Sequence, residues 1–271
     1  MKKEKKPRVR LDALLVERGL CASRERARAL ILAGAVLVEE MPADKPGSFL
    51  SPDAVIRLRT ADHPYVSRGG VKLQGALETF SLSVRDMICL DVGASTGGFT
   101  DCLLQAGARK VFALDVGYGQ LAWKLRQDAR VVPVERTNIR IYDGKDLDGP
   151  VDLVTIDASF ISLKLVIPAA LRWLKPGGIL LALIKPQFEA GRERVGKGGV
   201  VRDPVAHREV VEGIERFCRD EGLDVRGTCE SPLPGPAGNR EFFILAAAPP
   251  EADAGLPPET MEDTERTPRE P

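Results

Sequence analysis

Residues 87–98 read M-I-C-L-D-V-G-A-S-T-G-G, and this stretch sets the fold that the rest of the chain follows. Its first four residues are apolar, as in a buried strand, and its closing glycines lead into a run with helical apolar spacing that starts at Phe99. We therefore predict a strand, a glycine turn and a helix, an arrangement that lets a ligand approach the backbone closely. The pattern D-x-G-x-x-x-G-G is neither the dinucleotide fingerprint nor a Walker loop. A plain strand-to-helix turn of an α/β protein remains an open alternative.

Downstream of this turn, apolar runs and helical patterns alternate, which predicts a Rossmann-like, doubly wound α/β sheet. Strands are predicted at residues 110–116, 131–134, 151–156, 179–184, 223–230 and 240–247, and helices at 72–80, 163–174 and 203–221. The last strand should run antiparallel to the others. Glu241, at its beginning, would then lie at the edge where Asp157 and Lys185 follow their strands.

The composition excludes several classes of protein. The chain has 271 residues, 44% hydrophobic and 29% charged, as in globular proteins. Five cysteines without a C-x-x-C pair indicate free thiols and a cytoplasmic location, and no His, Cys and carboxylate cluster has metal-ligand spacing, so we expect no metal. The longest charge-free apolar run, residues 177–184, is far shorter than the roughly 20 residues of a membrane helix. The basic N-terminus lacks the apolar core of a secretory signal, so we expect no membrane association.

The first sixty residues are basic, with 13 Lys and Arg against 8 Asp and Glu, although the whole chain has zero formal net charge. This asymmetry favours a polyanionic partner. Apolar spacing predicts two helices, the second at 24–32 with Ser23 as its N-cap, and then a β ribbon. The unit is therefore a small α+β domain.

Two motifs in this front unit, L-D-x-L-L-V-E-R-G-L and S-R-x-x-A-x-x-L-I-x-A-G-x-V-x-V, precede a late basic strand. In that order they resemble the RNA-binding domain first seen in ribosomal protein S4. The resemblance covers about residues 8–60 and implies contact with structured RNA backbone through Arg24, Arg26 and Arg28. Such contacts supply salt-dependent affinity more than sequence choice. A solvated arginine face is the alternative interpretation.

Single polar residues near the predicted strand ends suggest further roles. Asp115 follows Asp91 at the spacing typical of a carboxylate that accepts hydrogen bonds from a ribose diol, although a turn aspartate remains possible. Asn138 is expected near an adenine ring. Lys72 lies at a predicted helix start, where a cation is electrostatically disfavoured, and this hints at a function other than that of a surface lysine.

Residues 191–198 imitate a phosphate-binding loop, G-x-x-x-x-G-K, but Gly198 replaces the Ser or Thr that would hold magnesium. We expect instead a flexible, basic, glycine-rich loop that closes on nucleic acid, with Lys197 as one contact. Arg68, in the motif S-R-G-G-V-K-L, is a further candidate RNA contact.

The motifs D-V-G-A-S-T-G-G-F-T-D, A-L-D-V-G-Y-G-Q-L, I-D-A-S-F-I-S-L, L-I-K-P-Q-F-E and N-R-E-F-F, together with the S4-type domain, closely resemble the TlyA family. These are bacterial ribosomal-RNA 2′-O-methyltransferases, long labelled haemolysins. The resemblance covers residues 8 to about 247. It implies an S-adenosyl-L-methionine (SAM)-dependent enzyme that acts on cytidine ribose in ribosomal RNA of the ribosomal subunits, in 23S and, as an open question, in 16S RNA.

The resemblance also implies site residues. The Lys-Asp-Lys-Glu set of the wider FtsJ-like class matches Lys72, Asp157, Lys185 and Glu241. The residues expected to bind SAM are Asp91, Gly93, Ser95, Thr96, Gly97, Gly98, Asp115, Val116, Asn138 and Asp157. Lys185 would orient the ribose hydroxyl or accept its proton, which a lysine can do where burial and nearby positive charge favour the neutral amine. Lys72 would supply that charge, Asp157 would orient Lys185, and Glu241 would hold Lys72 or the ribose.

Two other functions remain open at this stage. One is an RNA-binding ribosome-assembly factor with an inert methyltransferase fold, and the other is a pore-forming haemolysin, for which the sequence offers no amphipathic basic-aromatic helix. The predicted organisation is a basic tail (1–7), an S4-type RNA-binding domain (8–60), a linker (61–66), an FtsJ-like methyltransferase domain (67–248) and a disordered, acidic, proline-rich tail (249–271).

Overall fold

The chain forms two compact units, Met1–Pro64 and Tyr65–Pro271. This computed structural model describes residues 8–21, 23–32, 34–58, 63–235 and 237–250. The predicted basic tail, part of the predicted linker and residues 251–271 of the predicted acidic tail lie outside the described residues. No helix within the described ranges is long and apolar enough to cross a membrane.

The first unit contains the two predicted helices and short β ribbons. Its elements are β1 (Val9–Arg10), α1 (Leu11–Glu17), α2 (Arg24–Leu32), β2 (Val36–Val38), β3 (Met41–Pro42), β4 (Phe49–Leu50) and β5 (Ile56–Leu58). β1 pairs with β4, and β2 lies between β3 and β5. The predicted N-cap is confirmed, because Ser23 Oγ accepts a hydrogen bond from Arg26 N at 3.2 Å. Leu15, Ala27 and Ile31 join the two helices in one buried cluster.

The second unit is a seven-stranded sheet with helices packed against it, which confirms the predicted doubly wound α/β fold. Its elements are α3 (Arg68–Thr79), β6 (Ile88–Val92), α4 (Gly98–Gln105), β7 (Lys110–Leu114), α5 (Trp123–Arg126), β8 (Val131–Val134), β9 (Val151–Ile156), α6 (Leu163–Leu171), β10 (Leu174–Ile184), α7 (Pro186–Glu189), α8 (Pro204–Asp220), β11 (Asp224–Glu230) and β12 (Phe242–Ala247). The strand order is β11-β12-β10-β9-β6-β7-β8. β12 runs antiparallel to both of its neighbours, as predicted.

Several predicted boundaries are wrong. α3 begins at Arg68, directly after the extended residue Ser67, so Lys72 lies one turn inside the helix and not at its start. β7 ends at Leu114, which leaves Val116 in the following loop. β10 begins at Leu174, because this residue already pairs with β9 before the irregular stretch that precedes Ile179.

The buried face of α8 contains Ala206, His207, Val210 and Ile214, whereas Val205 is exposed. Asp203 caps the helix, because its Oδ1 accepts a hydrogen bond from Val205 N at 2.9 Å.

The glycine turn after β6 brings two strands together at their carboxyl ends. Gly93 has a φ of 87°, and a Cβ atom there would lie 2.7 Å from the carbonyl oxygen of Asp157. Asp157 N in turn donates a hydrogen bond to Val92 O at 2.9 Å. A side chain at position 93 would therefore push the end of β9 away from the turn.

Candidate active site

Lys185 and Asp157 form an ion pair at the carboxyl ends of neighbouring parallel strands. Lys185 follows β10 and Asp157 follows β9, and Lys185 Nζ lies 2.5 Å from Asp157 Oδ1. Nζ also donates a hydrogen bond to Ser159 Oγ at 2.8 Å. Lys185 is only 8% exposed. Burial and two oxygen partners therefore hold this ammonium group in one direction.

Lys72 and Glu241 form a second ion pair that links α3 to the beginning of β12. Lys72 Nζ lies 2.5 Å from Glu241 Oε2, and the two residues are 7% and 1% exposed. Gly235 packs against the same carboxylate, because a Cβ atom there would lie 2.4 Å from Glu241 Oε1. Because a buried charge without its partner is costly, each member of the pair depends on the other.

The strand register brings the two ion pairs to one edge of the sheet. Ile184 of β10 lies opposite Phe242 of β12, so Lys185 and Glu241 occupy the next position on those two strands. Asp157 follows Ile156, and that strand pairs with β10 on its other side. The structure thus gathers the four predicted catalytic residues, which are far apart in the sequence.

Asp115 fastens the glycine turn to the end of β7. One carboxylate oxygen accepts a hydrogen bond from Ser95 N at 2.8 Å, and the other accepts one from Gly117 N at 2.6 Å. Each oxygen retains a lone pair for a further donor. Ser95, Thr96 and Val116 are exposed beside it, so this part of the edge is open to a ligand.

Asp91 lies beneath the turn and is fully buried. Its carboxylate accepts hydrogen bonds from Thr100 Oγ1 at 2.7 Å and Thr155 Oγ1 at 3.1 Å. Burial raises the pKa of Asp91 to about 7, although both threonine hydroxyls oppose the rise. The side chain ties β6 to α4 and β9, and the predicted contact between Asp91 and a cofactor remains a prediction.

The other predicted cofactor residues have distinct positions. Gly97 has a φ of 94° and packs against Leu125, where a Cβ atom would approach a side-chain carbon to 2.2 Å. Gly98 begins α4 and touches Ser67, at the entry to α3. Asn138 is exposed, and its Oδ1 accepts a hydrogen bond from Arg140 N at 3.0 Å.

Three residues at this edge were missed by the sequence interpretation. Ser159 contacts Lys185, as described above. Phe160 is 91% exposed with a φ of 64°, and its ring lies 5.2 Å from that of Phe188. Asn239 is buried. The signal for the first two was the tetrapeptide D-A-S-F directly after β9, where an exposed aromatic residue has no packing role.

Asn239 fastens the residues that directly follow the basic glycine-rich loop, and the closure of residues 191–198 on nucleic acid remains a prediction. Asn239 Oδ1 accepts a hydrogen bond from Val201 N, and its Nδ2 donates one to Gly199 O, both at 2.9 Å. Gly196 and Val200 form an antiparallel bridge. Lys197 is exposed at the tip of this bridge.

The predicted RNA contacts in the first unit separate into two places. Arg24 and Arg28 line one cavity of about 650 Å³, together with Arg10. Arg26 instead points to His63, with Nη2 3.4 Å from the carbonyl oxygen of that residue. In the second unit, Arg68 Nη2 donates a hydrogen bond to Pro234 O at 3.1 Å.

Within the described residues, no group of three or more His, Cys, Asp and Glu side chains is arranged to hold a metal ion. No disulfide joins two cysteines within the described residues.

Comparisons with known proteins agree with this geometry. Residues 65–248 match the FtsJ-like methyltransferase family, and residues 9–56 match the S4 domain. The chain is 46% identical over 257 residues to the 16S/23S rRNA (cytidine-2′-O)-methyltransferase TlyA of Mycobacterium tuberculosis, covering 94% of this chain and 95% of that one. The chain belongs to the TlyA family of FtsJ-like methyltransferases.

Two further relatives support membership of the TlyA family over nearly the whole chain. Bacillus subtilis YqxC, provisionally named an rRNA methyltransferase, is 50% identical over 255 residues, which is 93% of this chain and 91% of that one. A solved Streptococcus thermophilus structure, provisionally named a hemolysin, is 44% identical with a TM-score of 0.71 and 92% coverage of both chains. The chain is therefore a methyltransferase with an S4 domain in front.

Proposed function

We propose that this TlyA-family enzyme transfers a methyl group from SAM to the ribose 2′-hydroxyl of a cytidine in ribosomal RNA, with 23S RNA as substrate and 16S RNA as a second candidate. The observation that carries the proposal is the pair of buried lysine–carboxylate contacts at one sheet edge, Lys72–Glu241 and Lys185–Asp157. An S4 domain in the same chain supports an RNA substrate, and the M. tuberculosis relative bears the name of this reaction.

The residues around the glycine turn fit SAM. Gly93 and Gly97 let the turn pack closely against Asp157 and Leu125, where a Cβ atom at either position would clash. Asp115 has acceptor capacity for a ribose diol, and exposed Ser95, Thr96, Val116 and Asn138 are available beside it. We assign these residues to cofactor binding, together with Gly98, Asp157 and the backbone of Asp91.

When bound, SAM supplies an electrophilic methyl carbon, and the chain supplies orientation and proton handling. Methyl transfer is an in-line displacement, so the alignment of the hydroxyl oxygen contributes much of the rate. The 2′-hydroxyl must lose a proton as it attacks. Lys185 Nζ, held by Asp157 and Ser159, orients this hydroxyl or accepts its proton.

Lys72 and Glu241 complete the proposed site. Lys72, paired with Glu241, places a second buried lysine at the same edge. Glu241 holds Lys72 in place or accepts a hydrogen bond from the ribose. We further propose Arg24, Arg28, Arg68 and Lys197 as RNA contacts. We also propose a cytoplasmic location, with which cysteines that form no disulfide within the described residues are consistent.

The domain limits are part of the proposal. We place the RNA-binding domain at residues 8–60, a linker at 61–66 and the methyltransferase domain at 67–248. The division between Pro64 and Tyr65 and the two family matches support these limits.

The test uses tritiated SAM with unmethylated small and large ribosomal subunits and with their naked RNAs. We expect label in a 2′-O-methylcytidine, and the labelled RNA identifies the substrate. No label in any of the four samples, with SAM binding intact by calorimetry, would contradict a ribosomal substrate. A failure to bind SAM as well would favour an RNA-binding assembly factor with an inert fold.

A further inference from the structure

A buried carboxylate organises the basic cavity of the first unit. Asp12 lies in the first turn of α1 and is 1% exposed. Arg10 donates two hydrogen bonds to its carboxylate, from Nε at 3.0 Å and from Nη2 at 2.7 Å. Arg24 Nη2 lies 3.3 Å from both carboxylate oxygens. One buried anion therefore connects the strand before α1 to the start of α2.

Asp12 remains ionised despite its burial. The hydrogen bonds from Arg10 lower the pKa of Asp12 to about 2, which outweighs the opposing effect of burial. The carboxylate is thus charged at every pH at which the protein would act. Its ion pairs with Arg10 and Arg24 therefore persist through ordinary changes of pH.

The arginines themselves are open to solvent. Their side chains are 41% and 58% exposed, whereas that of Asp12 is 1% exposed. With Arg28 and Glu25 they line the cavity of about 650 Å³. A guanidinium group carries five N–H donors, so Asp12 occupies only part of the donor set of Arg10 and Arg24. The remaining donors suit an oxyanion such as phosphate.

We propose that Asp12 is a positioning residue for RNA, which holds Arg10 and Arg24 side by side so that they and Arg28 bind one backbone phosphate group. RNA as the ligand rests on the proposed function. The physical reason is preorganisation. Two guanidinium groups repel each other, and a long side chain loses rotamer freedom when it binds. A shared buried carboxylate removes both costs before the ligand arrives.

The proposal and the net charge of the cavity predict opposite effects of Asp12→Asn on the affinity for RNA. Asp12→Asn keeps the shape of the side chain and removes one negative charge. Charge counting alone predicts tighter RNA binding, because the cavity becomes more positive. Loss of positioning predicts weaker binding. Glu25→Gln is the matched control, because this exposed carboxylate lines the same cavity and makes no ion pair within the described residues.

The experiment measures fluorescence anisotropy of a fluorescein-labelled RNA hairpin with the full chain over a series of salt concentrations. We expect Asp12→Asn to weaken binding by roughly tenfold and to reduce the salt slope by about 1, as for one lost phosphate contact. Glu25→Gln should bind as tightly as the wild type or more tightly. Unchanged or tighter binding by Asp12→Asn would overturn the proposal.

The melting curve of Asp12→Asn shows whether this variant unfolds the first unit. If it does, a second variant tests the proposal. Arg24→Lys changes only an exposed side chain and keeps its charge, but it removes the planar fork. We expect about threefold weaker hairpin binding at an unchanged melting temperature. Wild-type affinity in Arg24→Lys would show that charge without positioning suffices, and would overturn the proposal.

Methyl transfer separates this inference from the proposed function. With ribosomal RNA and tritiated SAM, Asp12→Asn should raise KM for RNA and leave kcat unchanged, because Asp12 acts through binding. A lowered kcat at unchanged KM would contradict a positioning role in RNA binding. If the wild type labels no ribosomal RNA, the proposed function fails, while the hairpin measurements still decide the role of Asp12.

Discussion

The two units of this chain both contain ion pairs with a buried carboxylate or a buried cation, but they differ in whether the cation is exposed. In the methyltransferase unit the cations are buried, since Lys72 and Lys185 each lie against one carboxylate with less than a tenth of their surface exposed. In the S4 unit the anion is buried, and Asp12 presents two exposed arginines. A buried ammonium group has a fixed direction and can take part in chemistry, whereas an exposed guanidinium group on a fixed support can bind a large ligand. The difference lies in whether the cation of the pair is buried or faces solvent.

The largest expected effect is on methyl transfer. Lys185→Ala should lower kcat by at least about 10³-fold, because it removes the group that we propose to orient the ribose hydroxyl or accept its proton. Affinity for SAM and for RNA should remain within about twofold of the wild type. The control is Lys175→Ala, which removes an exposed lysine paired with Asp152 and should leave kcat unchanged. Wild-type kcat in Lys185→Ala would remove this residue from the mechanism.

A second test asks whether burial makes the Lys72–Glu241 pair indispensable to the fold. Glu241→Gln leaves a buried ammonium group without its counter-charge and should reduce the free energy of unfolding by about 3–5 kcal/mol. Glu230→Gln, which breaks an exposed pair with Arg240, should cost less than about 1 kcal/mol. Urea denaturation measures both.

The double variant Lys72→Met with Glu241→Leu sharpens this test. It removes both buried charges and should recover most of the stability without recovering methyl transfer. If Glu241→Gln and Glu230→Gln reduced the free energy of unfolding equally, burial would not explain the importance of the Lys72–Glu241 pair.

The two buried aspartates should give opposite pH dependence. Asp91 has a pKa raised to about 7, so the folded state binds its proton more tightly than the unfolded chain does. Stability should therefore fall as the pH rises from about 4 to about 7, by at most about 4 kcal/mol. Asp12 has its pKa lowered to about 2, so its contribution should be lost only as the pH falls below about 4.

Thermal melting across this pH range checks the first prediction in Asp91→Asn. The variant should lose the decline between about pH 4 and pH 7, since no carboxyl proton is released there. A decline as steep as that of the wild type would assign the effect to other groups.

The smallest expected effect concerns the arginines of α2. Arg28→Ala should weaken hairpin RNA binding by about threefold and lower the salt slope, because Arg28 lines the cavity that Asp12 organises. Arg26→Ala should change the affinity by less than about twofold, since Arg26 points to His63. Equal losses in the two variants would extend the RNA contact beyond this cavity.

Local patterns predicted most of the elements. α2 spans residues 24–32 as expected, and β8, β9 and the end of β10 match their apolar runs, because hydrophobic periodicity is a local property. One error arose where a tertiary contact overrides local preference, because Leu174 pairs with β9 ahead of a Lys-Pro-Gly-Gly turn. Another is the start of α3, which follows the extended residue Ser67. The segment fastened by Asn239 had no local signal, because its partners lie about 40 residues away in the sequence.

The sequence by itself indicated the fold class and the glycine turn, because hydrophobic periodicity and turn residues are local properties, and its motifs selected the four candidate site residues. The resemblance implied a contact between Asp157 and Lys185 and left the partner of Glu241 open, and the tertiary structure shows both ion pairs. Lys185 lies beside Asp157 because β10 and β9 are parallel neighbours, and antiparallel β12 brings Glu241 to the same edge, where it pairs with Lys72. Only the tertiary structure decided that Asp91 is buried while Asp115 remains accessible, and that Arg24 and Arg26 face different neighbours. Burial and counter-charge depend on residues distant in sequence, which no local pattern records.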